Sequence, residues 1–284
     1  MAERNFMEML KRKWQEGKFV CVGLDSDHDK IPECIKNAYV EPWGIHGFNT
    51  AIIDATRDIV CAYKPNIAFY EAQGSKGLEV LSSTISYIHQ VARYVPVILD
   101  AKRADIDNTN NGYVKAAFEI CGADALTVSP YLGSEALKPF LERTDKGIFV
   151  LCRTSNKGAG EFQDLIVGTS RLYQVVADRV ANAWNKNGNC GLVVGATTPE
   201  ELEQVRRIVG DMPILIPGIG AQGGDVEKTV RASLNKLGAG IVVNSSRGII
   251  FASNGADFAE KACEKTMELH NEITKVILEM KEEE

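Results

Sequence analysis

The densest chemistry in the chain lies in VPVILDAKRADIDNT, residues 95–109, where Asp100, Lys102, Arg103, Asp105 and Asp107 follow an apolar run from Val95 to Leu99. Two positions apart on an extended strand, Asp100 and Lys102 share one face. If Leu99 and Ala101 face a layer of helices, both charged groups point the other way, into an enclosed mouth. A desolvated lysine beside carboxylates stays protonated and fixed, as a general acid requires. The competing reading is a structural ion pair that plugs the end of the fold, and the spacing favours the acid over the plug. Arg103 and Asp107 are expected to be solvated surface charges.

A second signal is PGIGAQGGD, 217–225, in which Gly218, Gly220 and Gly223 spell G-x-G-x-x-G between an apolar run and a helical pattern. A dinucleotide site is the first thought, but the motif comes late in the chain. The next apolar run, GIVVNSSRG, also ends without the acidic residue that would hold a ribose diol. A phosphate held by backbone N–H groups of GAQGG and NSSRG, with Arg247 adding a charge-assisted contact, fits better. Glycines that merely make tight turns are the plainer alternative.

These groups need a scaffold that brings them to one place. Eight short apolar runs recur, each followed by a helical pattern: 19–25, 59–65, 95–102, 124–130, 147–154, 190–197, 213–219 and 240–246. They are near-continuous in apolar residues rather than alternating, as in parallel strands covered on both faces. Eight strand–helix units over about 250 residues predict an α/β protein, a (β/α)8 TIM barrel, ahead of a doubly wound open sheet. With no break in composition, the 284 residues are expected to form one barrel domain, with an irregular insert at about 26–47 and a long amphipathic C-terminal helix at about 256–282. In such a barrel the active site lies at the carboxyl ends of the strands. Those ends here carry Asp25, Lys64, Asp100 with Lys102, then Arg153, Thr154 and Ser155, then Pro217, and finally Ser245, Ser246 and Arg247. Loops seven and eight are where barrels commonly bind phosphate.

Composition narrows the partners. The formal net charge of −6 argues against nucleic acid or an anionic membrane as the main partner, while leaving room for a small anionic ligand. No apolar run approaches the length of a membrane span, and the N-terminal MAERNFMEMLKRKWQ is a charged amphipathic helix without the apolar core of a signal peptide. Seven cysteines, with no C-x-x-C pair, read as reduced thiols of a cytoplasmic protein. Several decoys fail. DSDHDK begins like a calcium loop but has Lys30 where glycine is needed and Lys36 where glutamate is needed. Histidines 28, 46, 89 and 270 form no metal-ligand pair, and His89 is expected to be packed or solvated within a helix. No metal site is expected.

With those residues in view, the chain resembles the orotidine 5'-phosphate decarboxylase family. DAKRADIDNT fits its D-x-K-x-x-D-I-x-x-T signature; YKPNIAFYEAQGSKGLEVL and CRTSNKGAG resemble its longer, second subgroup; PGIGAQGGD and NSSRGI are similar to its phosphate-gripping elements. The resemblance runs from Asp25 to Arg247. It implies that Lys102 protonates C6 of the pyrimidine and that Asp100 and Asp105 flank it. Asp105, Ile106 and Thr109 would reach into a neighbouring subunit's site, so that a homodimer shares its active sites. Asp25 and Lys64 would hold the ribose hydroxyls, and Ser155 would meet the pyrimidine. Gln222, Arg247 and the backbone at Ser246 would hold the phosphate, with Pro217 and Gly223 in the same binding set. The sequence departs from the family at Lys157, where many relatives have proline.

The resemblance further implies decarboxylation of orotidine 5'-monophosphate (OMP) to UMP with neither metal nor organic cofactor. Two rivals remain at this stage: a magnesium-dependent sugar-phosphate decarboxylase or aldolase sharing the D-x-K-x-x-D core, and a nucleotide-phosphate sensor that turns nothing over. Activity that survives EDTA would count against the first, and any turnover against the second.

Overall fold

Each of the eight apolar runs becomes a parallel strand in the computed structural model, which describes residues 4–219 and 225–283, without the side chain of Asp107. We number the barrel strands β1 (Val20–Leu24), β2 (Ala62–Pro65), β3 (Ile98–Arg103), β4 (Ala125–Val128), β5 (Gly147–Arg153), β6 (Cys190–Val194), β7 (Ile214–Pro217) and β8 (Ile241–Ser245). They are shorter than the apolar runs because the flanking residues enter turns. Hydrogen bonding runs in the order β2-β1-β8-β7-β6-β5-β4-β3. The seam between β2 and β3 is bridged at Tyr63–Val97 and Asn66–Asp100, so the sheet closes on itself as a TIM barrel.

Two cores result. Cys21, Ala62, Ile98, Ala125, Phe149, Val193, Leu215 and Val242, one from each strand, fill the barrel interior. The alternate positions, such as Val20, Val22, Leu99 and Ala101, pack outward on the helices. The N-terminal helix Phe6–Gln15 closes the bottom by inserting Phe6 and Leu10, with the Phe6 ring edge-on to Phe149 at 5.6 Å. Gly147 leaves the space for this: a Cβ there would lie 2.3 Å from the Phe6 ring. The C-terminal helix Phe258–Glu282 buries Ala262, Thr266, Leu269, Ile273, Val276 and Ile277, a helical spacing that lays one stripe on the barrel.

The insert after β1 is more ordered than its sequence suggests. It contains a single turn at His28–Lys30 and a short helix at Glu33–Lys36. Its last residues already belong to the helix Trp43–Thr56. Phe48 of that helix stacks between Phe251 and Phe258, 5.7 and 5.1 Å away, which anchors the insert's end to the C-terminal helix. Among the described residues, no helix is long and apolar enough to cross a membrane.

Candidate active site

The top of β3 is where regular pairing stops. Leu99 pairs with Leu126 and Arg103 with Val128, so β3 passes through three residues where β4 passes through one. The excess forms a bulge, a device that re-aims side chains at the ends of strands. Lys102 sits in it at φ +48°, a left-handed conformation uncommon for a side chain of this kind. Leu99 and Ala101 pack outward as their spacing predicts, leaving Asp100 and Lys102 to the mouth.

There the charges alternate in sign. Lys102 Nζ donates to Asp100 Oδ1 at 2.7 Å, and Lys64 Nζ donates to Asp100 Oδ2 at 3.2 Å. Lys64 also lies 3.8 Å from Asp25 Oδ1. Thr127, on β4, donates its hydroxyl to Asp100 Oδ1 at 2.9 Å. Burial pushes the Asp100 carboxyl up, but Lys64, Lys102 and Thr127 outweigh it and hold the group at about 2, ionised at neutral pH. Burial likewise disfavours the Lys64 ammonium; Asp25 and Asp100 overcome that and raise its pKa, so Lys64 stays charged although it is almost fully enclosed. Beneath Asp25 a buried chain of hydrogen bonds fixes the end of β1. Ser26 donates to Asn49 (2.6 Å), Asn49 to the Tyr70 hydroxyl (3.0 Å), and Tyr70 to the Leu24 carbonyl (3.2 Å).

Lys64, Asp100, Lys102, Ser155 and Pro217 line one cavity of about 420 Å³, together with Thr127, Thr154, Asn156, Gln163 and the apolar Leu151, Val193 and Leu215. A cavity of this size takes a small-molecule ligand. Asp25, Ser246 and Arg247 are not among the residues that line it: Asp25 follows β1 behind Lys64, and Ser246 and Arg247 follow the carboxyl end of β8, where Arg247 opens the short helix Arg247–Ile250 and is exposed. Gly23 admits Ser246 to this corner, since a Cβ on Gly23 would fall 1.9 Å from Ser246 Oγ. Gln222 and Gly223 lie outside the described residues. Asp105, Ile106 and Thr109 do not line their own chain's cavity. Asp105 accepts from the Ile106 amide, and Ile106 is 57% exposed.

Two charged residues behave otherwise than expected. Arg153 ends β5 but does not join the rim; it turns to Glu201 (2.8 Å) and Asp164 (3.2 Å). Arg103 is no free surface charge, being paired with Glu71 and lying over the Tyr113 ring at 5.2 Å. Among the groups that sequence reasoning missed, Thr127 carries a faint signal as the one hydroxyl inside the apolar ALTV strand. Gln163, which bonds Thr154 from nine residues away, carries none.

The fold and this rim define a barrel enzyme with an alternating lysine–aspartate cluster at the carboxyl end of its strands. The comparisons make this specific. Residues 18–262 match the model of the orotidine 5'-phosphate decarboxylase / HUMPS family. The chain is 50% identical over 258 residues to the orotidine 5'-phosphate decarboxylase of Ralstonia pickettii (strain 12J), covering 90% of this chain and 93% of that one. It is 47% identical over 270 residues to the enzyme of the same name from Cellvibrio japonicus (strain Ueda107), with 95% and 98% covered. The solved structure of Leishmania donovani OMP decarboxylase superposes with a TM-score of 0.80 at 38% identity, over 94% of this chain and 98% of that one. The chain belongs to the orotidine 5'-phosphate decarboxylase / HUMPS family.

Proposed function

We infer that this chain decarboxylates OMP to UMP in pyrimidine biosynthesis. The observation that carries this reading is the 2.7 Å contact between Lys102 and an ionised Asp100 in a cavity that also holds Ser155 and Pro217. Loss of CO2 from C6 leaves a carbanion without an adjacent carbonyl sink, so charge must be stabilised directly. The Lys102 ammonium does so electrostatically and then delivers its proton to C6. Asp100 beside the substrate carboxylate is unfavourable in the ground state, and that repulsion is relieved as CO2 departs. The apolar side of the cavity, Leu151, Val193 and Leu215, suits a departing neutral molecule.

The remaining roles are those that the family resemblance implies. Asp25 and Lys64 hold the ribose hydroxyls, and Ser155 meets the pyrimidine ring. Gln222, Arg247 and the backbone at Ser246 hold the phosphate, with Pro217 and Gly223 in the same substrate-binding set; the phosphate is remote from C6, so that its binding energy offsets the crowding at the reacting carbon. Asp105, Ile106 and Thr109 complete the site of a second copy in a homodimer; in support, Ile106 presents an apolar side chain to solvent. We place the protein in the cytoplasm, free of membrane and nucleic acid, in keeping with its net charge of −6 and its unpaired cysteines.

The test is direct. Purified protein with OMP and excess EDTA is followed by the loss of substrate absorbance. Turnover unaffected by chelator is expected, and no turnover with or without magnesium sinks the reading. Lys102→Ala should nearly abolish the rate, and a variant of near-normal rate would remove the proton donor assigned here.

A further inference from the structure

Asp100 and Lys102 owe their geometry to a residue that belongs to neither charge. Across from the bulge of β3, the single β4 residue between Leu126 and Val128 is Thr127, 1% exposed. Its hydroxyl oxygen accepts from the Ala101 amide at 3.0 Å and from the Lys102 amide at 2.9 Å, and its proton goes to Asp100 Oδ1 at 2.9 Å. A hydroxyl has one donor and two acceptor sites, and all three are used. The extra length of β3 thus takes two successive N–H groups away from regular pairing, and one side chain satisfies both while fixing the carboxylate of the residue before them.

We propose that Thr127 is a positioning residue for the decarboxylation, its hydroxyl holding the bulge that aims Lys102 and setting the orientation of Asp100. The backbone of Lys102 supports this. A non-glycine residue at φ +48° persists only where its surroundings over-determine it. The two amide bonds to Thr127 are that constraint, and the third bond ties the same oxygen to the partner of the Lys102 ammonium. Thr127 acts through these two residues. No side chain other than a small hydroxyl-bearing one meets all three partners in a position so enclosed.

The inference rests on the reading of the chain as an OMP decarboxylase, and three variants at one position test it separately. Thr127→Ser keeps the hydroxyl, Thr127→Ala removes it at nearly the volume of serine, and Thr127→Val keeps the shape without the oxygen. Thr127→Ser should retain most of kcat. Thr127→Ala and Thr127→Val should lose about 100-fold in kcat, as expected for an ångström-scale misplacement of catalytic groups, with KM moved far less. Valine should do no better than alanine, because only alanine leaves room for a water to take up the three polar partners. A packing role predicts the reverse order, with valine best and serine equal to alanine. Should Thr127→Val fail to fold, the serine–alanine pair decides alone. Equal kcat for serine and alanine, wild-type kcat for valine, or a loss confined to KM overturns the proposal. If the wild-type protein leaves OMP unchanged, the functional reading fails; if it turns OMP over and the three variants match it, only the role of Thr127 fails.

Discussion

Lys64 reaches Asp100 Oδ2 at 3.2 Å from a position 3% exposed, and its next nearest carboxylate, Asp25, is 3.8 Å away. One enclosed ammonium therefore separates two carboxylates. Lys64→Ala would leave both facing each other with a single remaining cation, Lys102, on the far side of Asp100. Removing one partner of a buried pair costs about 3–5 kcal/mol. We expect Lys64→Ala to lose stability near the lower end of that range, about 3 kcal/mol, in urea unfolding of the free protein. Asp100→Asn in the same background should restore part of it, with a coupling of at least about 1 kcal/mol in the double-mutant cycle. Strictly additive losses would show that the two residues do not share one electrostatic unit.

The proposed dimer with shared sites gives a quantitative expectation. Lys102→Ala and Asp105→Ala chains should each be nearly inactive alone. In a mixed dimer one site then combines an intact Lys102 with an intact Asp105 from the other chain, and the second site lacks both. With random exchange at equal amounts, about a quarter of wild-type activity should return. No recovery, with exchange confirmed by mass, would place Asp105 in its own chain's site.

At the proposed phosphate site, Arg247→Ala should reduce kcat/KM by about 10- to 100-fold, the worth of one charge-assisted hydrogen bond, mainly through KM. Gly23→Ala should act on the same corner without touching a charge, because its Cβ would displace Ser246 from 1.9 Å away. Both variants should bind UMP more weakly than wild type. A normal UMP affinity in Gly23→Ala would mean that Ser246 does not contribute to the phosphate site.

How far the sequence could be read depends on the range of the interaction. The alternation of Leu99 and Ala101 against Asp100 and Lys102 is local, so their opposite faces were legible. The eight apolar runs, set by burial on both faces, marked the strands and their count. The bulge of β3 was not legible, because no glycine marks the positive φ at Lys102 and the hydroxyl that stabilises it sits 25 residues away as one more β-branched residue in a strand. Arg153 misled for a similar reason. Cys152 is an extra residue between the pairs Leu151–Val193 and Arg153–Val194, and the carboxylate that captures Arg153 comes 48 residues later. Arg103 found Glu71 across 32 residues in the same way. Charge at a strand end predicts a rim, but which charge faces the ligand is settled by partners that only the closed barrel brings near.

At the opposite end of the barrel, Asp124 shows the cost of acid. It is 1% exposed and takes a two-pronged contact from Arg4, Nε at 2.8 Å and Nη2 at 2.7 Å, with the Val97 amide at 2.9 Å and His89 Nε2 at 3.4 Å. Burial pushes this carboxyl up, but Arg4 and His89 outweigh it and hold it at about 2, below its ordinary 3.8. A folded-state pKa below the unfolded one means that the contribution is complete above about pH 4 and is lost as pH falls toward about 2. Asp100 titrates over the same window, so the wild-type protein should lose stability steeply there. Asp124→Asn should lower stability at pH 7 by about 2 kcal/mol and make the fall on acidification shallower. Its melting temperature should therefore approach that of wild type by about pH 2. Because Asp124 lies far from the cavity, turnover at pH 7 below the melting point should be retained. A stability gap of the same size at pH 7 and pH 2.5 would mean that the loss in Asp124→Asn comes from packing rather than from the charge that Arg4 holds.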